Sequence, residues 1–230
     1  MNLTSVGRSA RRLNFFDSGN SRPFFSFYVP MSLISTIALA MGVSWTSGIN
    51  LYASVATLGL LSRFAGLQLP GELGVVTSWW VIGIASALYC VEFLADKVPW
   101  IDSTWDLIHT FIRVPAGAVL AATTFGEFDR SIQLIALLLG GGLALSSHGT
   151  KAATRAILNT SPEPVSNVVA SVIEDIVAIV SMIVAVFVPI LLFVIVAVGL
   201  YVSYLILPRI IRFFQRVGRS VRGLRGATNP

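Results

Sequence analysis

The sequence predicts an all-α membrane protein with about six transmembrane helices, and three observations carry that prediction. Only 12% of its 230 residues are charged, 55% are hydrophobic, and the mean hydropathy is +0.80. Soluble domains carry about 25% charged residues. Apolar runs approaching the roughly 20 residues that cross a bilayer recur along the chain. Those runs are continuous and do not alternate, which excludes a β-barrel, and an open sheet would leave backbone groups unpaired in lipid. Gly, Ala, Ser and Val are frequent in the runs, as close packing of membrane helices requires.

Residues 1–23 are polar and basic, with Arg8, Arg11, Arg12 and Arg22. The run 24–45 follows. It is longer than the roughly 7–15 residues of a signal-peptide core, so a first spanning helix is expected there. Thr46-Ser47-Gly48-Ile49-Asn50 is expected to break it, because Gly lowers the cost of a break and Ser and Asn can satisfy freed backbone groups. The piece 51–67 then reads as a short, re-entrant or tilted helix, and 68–78 as a loop. Trp79-Trp80 opens a span over 79–98, with Trp at the interface. After Pro99, Asp102 or Ser103 is the expected N-cap of a helix over 103–125. The turn at 126–130 leads to a span over 131–147, whose Gly140-Gly141-Gly142 allows close contact. A polar island at 146–167 holds Gly149, Pro162 and Pro164 as expected break points. Spans at 165–187 and 190–207 follow, with Pro189 between them.

The organisation expected is a basic N-terminal segment (1–23), a helical membrane domain (24–207) and a basic tail (208–230). Arg209, Arg212, Arg216, Arg219, Arg222 and Arg225 recur at helical spacing in the tail. They place both ends on the cytoplasmic side of the inner membrane and fit an anionic lipid surface. The net charge of +5 resides at the ends and not in a groove, so nucleic acid is not an expected partner. A homo-oligomer is left open. The segments 24–125 and 131–207 echo each other. Each runs from a Gly-rich helix into a polar break, then a Pro-containing loop, then a helix with internal acids. Two inverted three-helix repeats with broken or re-entrant helices are therefore an expectation.

The candidate site residues are the charges inside these apolar segments. Asp102, Asp106, His109 and Arg113 share a strip of roughly 60° on one helix. Glu92 and Asp96 form a pair on the preceding helix, expected to be its antiparallel neighbour. His148, Lys151 and Arg155 share a face, and Glu174-Asp175 lie inside a later span. An Arg or Asp facing lipid at mid-membrane costs about 2.5–3.5 kcal/mol, so these strips should turn inward. Carboxylates with His could bind a divalent cation or relay protons. Arg113 with Lys151 and Arg155 could hold an anionic group. A purely structural ion-pair network is the third possibility. No sequence signature of a hydrolase, zincin or phosphate-binding loop is present, and no cofactor is implied. Cys90 stands alone and forms no intrachain disulfide.

Three stretches carry a resemblance: SGINLYASVATLGLL, WWVIGIASALYCVEFLADKVPWIDSTWDLIHTFIRVPAGA and SSHGTKAATRAILNTSPEPVSN. Over residues 30–207 the chain resembles the bacterial membrane family catalogued as domain of unknown function 4126, which implies an integral inner-membrane protein. It is more faintly similar to cation exchangers with twin Glu-x-Gly-Asp-Lys-Thr motifs. Glu92-Phe93-Leu94-Ala95-Asp96-Lys97 departs from that pattern in the place of Asp, in Ala for Gly and in Val98 for Thr. The leading expectation is a small transporter or channel-like protein with an intramembrane charged site. The alternatives are a membrane scaffold held by ion pairs and a membrane-embedded enzyme acting on a lipid head group.

Overall fold

The computed structural model describes residues 32–159 and 164–226, and these are helical with no strand among them. The six α-helices are α1 (Leu33–Ala65), α2 (Trp79–Ala95), α3 (Pro99–Thr124), α4 (Arg130–Leu158), α5 (Pro164–Phe187) and α6 (Pro189–Gly226), with a 3₁₀ helix, Gly71–Thr77, before α2. Among the described residues five helices are long and apolar enough to cross a membrane. A sixth span results if the 3₁₀ helix and α2, bent by 69°, count as one. The part of the first predicted span at 24–31 lies outside the described residues.

The polar stretches lie within helices. Thr46-Ser47-Gly48 continues α1, since Thr46 Oγ1 donates to Gly42 O and Ser47 Oγ to Ser44 O, both at 2.7 Å. The backbone leaves helical geometry only at Asn50 (φ −149°, ψ 98°), and α1 resumes beyond it to Ala65. Asn50 caps its own restart, because its Oδ1 accepts Ala53 N–H at 2.9 Å. The predicted piece 51–67 is therefore the second arm of α1, which ends at Gly66 in the left-handed conformation. Arg63 in that arm donates to Thr77 O and lies over the Trp79 ring.

Other boundaries move as well. The predicted loop 68–78 contains the 3₁₀ helix, and α2 stops at Ala95. Neither Asp102 nor Ser103 caps α3, which begins at Pro99 with Val98 as N-cap. α4 runs unbroken through 146–158, so Gly149 is no break. Its polar side chains find partners across the bundle, and the helix continues because they do. Asp129 caps α4 by accepting Ser131 N–H at 2.7 Å. Pro164 opens α5, while Pro162 lies outside the described residues. Helix α6 passes through Pro208 to Gly226; the side chains of Arg216, Arg219, Arg222 and Arg225 lie outside those described.

Helix α1 is the central helix, packed on α2, α3, α4, α5 and α6. Ala38, Leu39, Val43, Met182, Ala185 and Leu192 form the buried apolar core around it. Glycine sets the closest approaches. A Cβ at Gly48 would collide with Ser147 Oγ and Ala144 O of α4, and one at Gly140 with Ala121 of α3. Of the triple glycine, only Gly140 is pressed in this way; Gly142 has open space around it. Helix α2 packs mainly on α1 and touches α3 little beyond their turn, so the antiparallel pairing expected of α2 and α3 is short. α3 packs chiefly on α4. Outward faces carry exposed Ile190, Val194, Val198 and Tyr201 on α6 and Ile173 and Ile176 on α5, which is the surface lipid requires.

Candidate functional site

Six carboxylates and three cations converge where α1 to α5 meet. Glu92 and Asp96 stand at the end of α2, Asp102 and Asp106 in the opening turns of α3, and Glu174 and Asp175 on α5. Arg113 comes from α3, Lys151 and Arg155 from α4. All are buried except Glu174, which is partly exposed. Arg113 sits about 21 Å along α3 at 1.5 Å per residue, deep in the bundle.

Arg113 closes one corner. Its Nη2 donates to Glu92 Oε1 at 2.6 Å and its Nη1 to Asp106 Oδ1 at 3.1 Å. The Arg113 and Glu92 side chains have no exposure at all.

Lys151 is the hub. Its ammonium donates to Asp96 Oδ2 at 2.9 Å and lies 3.5 Å from Glu174, 3.6 Å from Glu92 and 3.9 Å from Asp106. It also meets Ile49 O at 3.3 Å. That carbonyl precedes Asn50, where the helical hydrogen-bond ladder is interrupted.

Arg155 forms the third corner. Its Nη2 donates to Glu174 Oε2 at 2.7 Å and its Nη1 to Asn167 Oδ1 at 2.6 Å, with Asp102 Oδ1 3.9 Å away. Asn159 donates to Asp102 Oδ2 at 2.7 Å, and Asn50 Nδ2 to Asp175 Oδ1 at 2.8 Å. Both members of the Glu174-Asp175 pair thus reach partners, in directions about 100° apart around α5.

The histidines play lesser parts. His109 Nδ1 donates to Trp105 O at 2.8 Å, which leaves Nε2 to accept from Tyr52 at 3.0 Å. It stacks on Trp105 and stands beside the ion cluster, not in it. Thr110 donates to Asp106 O, so His148 Nε2 donates to Thr110 Oγ1 at 2.7 Å and turns Nδ1 toward Arg113. Each ring has one donating and one accepting nitrogen, the pattern of a neutral imidazole. Among the described residues no three His, Cys, Asp or Glu side chains are placed to hold a metal ion. At the edge, Lys97 donates to Phe93 O and lies over the Phe93 ring. Desolvation pulls its ammonium below the usual lysine range.

Five of the carboxylates keep an oxygen that is buried and has no hydrogen-bond partner: Glu92 Oε2, Asp96 Oδ1, Asp102 Oδ1, Asp106 Oδ2 and Asp175 Oδ2. One cavity reaches the cluster, a lateral groove of about 400 Å³ lined by Trp45, Ser147, Thr150, Lys151, Glu174 and Ser203 among others. A separate cavity of about 270 Å³ between α1, α3 and α4 is lined almost wholly by apolar side chains and lies away from the charges.

Sequence reasoning had singled out every charged member as a site candidate except Asp102, which it noted on the strip and expected as an N-cap. It treated Asn50 only as a break, and missed Tyr52, Thr110, Asn159 and Asn167. A readable signal existed for the asparagines, since an amide inside an apolar helix needs a partner across the bundle.

The sequence pattern of the family described as domain of unknown function (DUF4126) matches residues 37–209. The chain belongs to that family. The matched range contains every member of the ion cluster and runs from within α1 to within α6. No curated protein and no solved structure matches the chain. The DUF4126 segment is thus a helical membrane unit with an ion network at its centre.

Proposed function

We propose that this protein is a small ion-handling transporter whose buried network binds and releases cations, protons foremost. The observation that carries this reading is the charge imbalance. Among the described residues, Glu92, Asp96, Asp102, Asp106 and Glu174 meet three cations within 4 Å, Arg113, Lys151 and Arg155, while Asp175 meets the Asn50 amide. Lys97 stands at the rim, turned to its own helix, and acts on Asp96 and Asp175 from further off. Desolvating an ion costs several kcal/mol even after relaxation. A network that only fixed helix register would be expected to balance its charges. Surplus carboxylates with unpartnered oxygens instead favour a centre that takes up protons or small cations to reach neutrality.

Position supports the same reading. The network ties the end of the first three helices to α4 and α5, and both halves open with a long polar helix followed by a helix with internal acids; the third helices differ, α3 being charged and α6 apolar over its first turns. That order suits two inverted repeats with a site at their interface. The halves pack differently, however, since α1 lies along α5 while α4 makes no comparable contact with α2. We place both ends on the cytoplasmic side of the inner membrane, from the arginine bias. A scaffold role is favoured by one observation, the fully sealed Glu92–Arg113 pair.

The test is reconstitution into liposomes with a pH-reporting dye inside. A potassium diffusion potential should drive protons inward only in vesicles that contain the protein. The movement should be lost in Glu174→Gln and Asp96→Asn variants that keep their helical content. Rates equal to those of protein-free vesicles would overturn the transport reading and leave the scaffold.

A further inference from the structure

The groove beside Lys151 lies in a gap. The backbones of α4 and α5 stand apart and are bridged by the Arg155 and Lys151 side chains, while α1 and α6 back the space between them. Its rim residues Ile173 and Val202 are 54% and 39% exposed, so the opening faces sideways, toward the bilayer. The walls are apolar, built from Trp45, Ile49, Val177 and Ile206. The floor is polar, and the donors of Thr150, Ser203, Ser147 and Lys151 are already used, while Trp45 Nε1–H, packed against Gly199, has no partner among the described residues. Thr150 Oγ1 donates to Ser203 Oγ at 2.7 Å and Ser203 Oγ to Gly199 O at 2.9 Å. Ser147 Oγ donates to Trp45 O at 2.7 Å. The Lys151 ammonium is committed to Asp96, Ile49 O and the surrounding acids. What remains toward the groove is lone pairs, the Thr154 hydroxyl and the Glu174 carboxylate, whose side chain is 17% exposed. Its Oε1 receives only a single bond of 3.2 Å from Arg155 Nε. Behind this floor stands the surplus of buried negative charge.

We infer that the groove binds an amphiphilic amine, with its ammonium on Glu174 and the hydroxyl oxygens and its alkyl body along the apolar walls. A site with an accessible carboxylate and more acceptors than free donors selects a ligand that brings both donors and positive charge. A carboxylate or phosphate head would meet Glu174 as a like charge. An alcohol would bring one donor and no charge. The volume of about 400 Å³ falls within the range of small-molecule pockets. This assignment rests on the cation-handling reading of the network and names its substrate class.

The experiment uses the full chain in lipid nanodiscs and three photoreactive diazirine probes of equal length: a decylamine, a decanol and a decanoate. Cross-links are mapped by mass spectrometry. The amine should label the segments around Val177 and Ser203, and excess unlabelled decylamine should compete. Glu174→Gln should weaken that labelling about tenfold, the loss of one charge-assisted contact. Ile173→Trp, which narrows the mouth from an exposed position and leaves the ion network intact, should do the same. Equal labelling by the alcohol and the carboxylate, or unchanged labelling in both variants, would overturn the inference. Amine-specific labelling without proton movement in liposomes would keep this site and remove the transport reading. Proton movement without amine-specific labelling would do the reverse.

Discussion

Two corners of the same ion network differ in one respect, access. At the Arg113 corner, Glu92 and Asp106 are locked to a guanidinium with no exposed surface. At the Glu174 corner, Arg155 and Lys151 hold a carboxylate that borders an open groove. The residue types are alike, but the consequences differ. A sealed ion pair can only fix the relation of α2 to α3, and removing one partner strands a charge in a low-dielectric interior. A pair at a groove can rearrange when a cation arrives, because water or a ligand can take the vacated place.

The largest expected effect breaks the sealed corner. Arg113→Met leaves Glu92 and Asp106 without their guanidinium, and stability should fall by about 3–5 kcal/mol, read as the midpoint of denaturation in mixed micelles. The contrast between the corners collapses if this variant loses no more than Glu174→Gln.

A second effect falls at the α1 break. Asn50→Leu removes the donor to Asp175 and the cap on Ala53 N–H, which should cost about 1–3 kcal/mol. Hydrogen exchange should rise in the second arm of α1, and exchange that stays as slow as in the parent would show that Asn50 does not hold the arm.

Glu174→Gln comes third. The groove lets water reach position 174, so its stability cost should be about 1 kcal/mol, while its effect on cation binding should be large. A stability loss matching that of Arg113→Met would mark the open corner as structural too.

The smallest effect lies outside the membrane. The Ser131 N–H holds the Asp129 carboxyl below the usual aspartate range. A depressed folded-state value means the cap stabilises above the unfolded value, about pH 3.9, and is lost as pH falls through the lower folded one. Asp129→Ala should lower the thermal midpoint slightly at neutral pH, and the difference from the parent should vanish in strong acid. A difference that persisted there would count against the cap.

Much of the fold was legible in composition and run length: helical membrane class, about six spans, and the inward turn of charged strips. Boundaries near polar stretches were not. Ser146 to Arg155 looked like an island between helices because its polarity ended the apolar run and Gly149 offered a break. In the bundle that polarity is the buried face of α4, with Ser147 on Trp45 O, His148 on Thr110 and Lys151 on Asp96. Likewise Gly48 looked like a breaker, yet it is the place where α4 comes close enough to α1 to exclude a Cβ.

By itself, the sequence determined which residues carry charge into the membrane and that they must avoid lipid, since the cost of exposure there is set by residue type and depth. Tertiary packing decided who meets whom. Lys151 became the hub because α1 is interrupted at Asn50 just where α2, α3 and α5 bring their acids. His109 was excluded by its own bonds to Trp105 and Tyr52. The gap between α4 and α5 left Glu174 accessible, while the packing of α3 on α4 left Arg113 sealed. Those outcomes depend on contacts between residues far apart in the chain, and a local pattern of charge and polarity does not contain them.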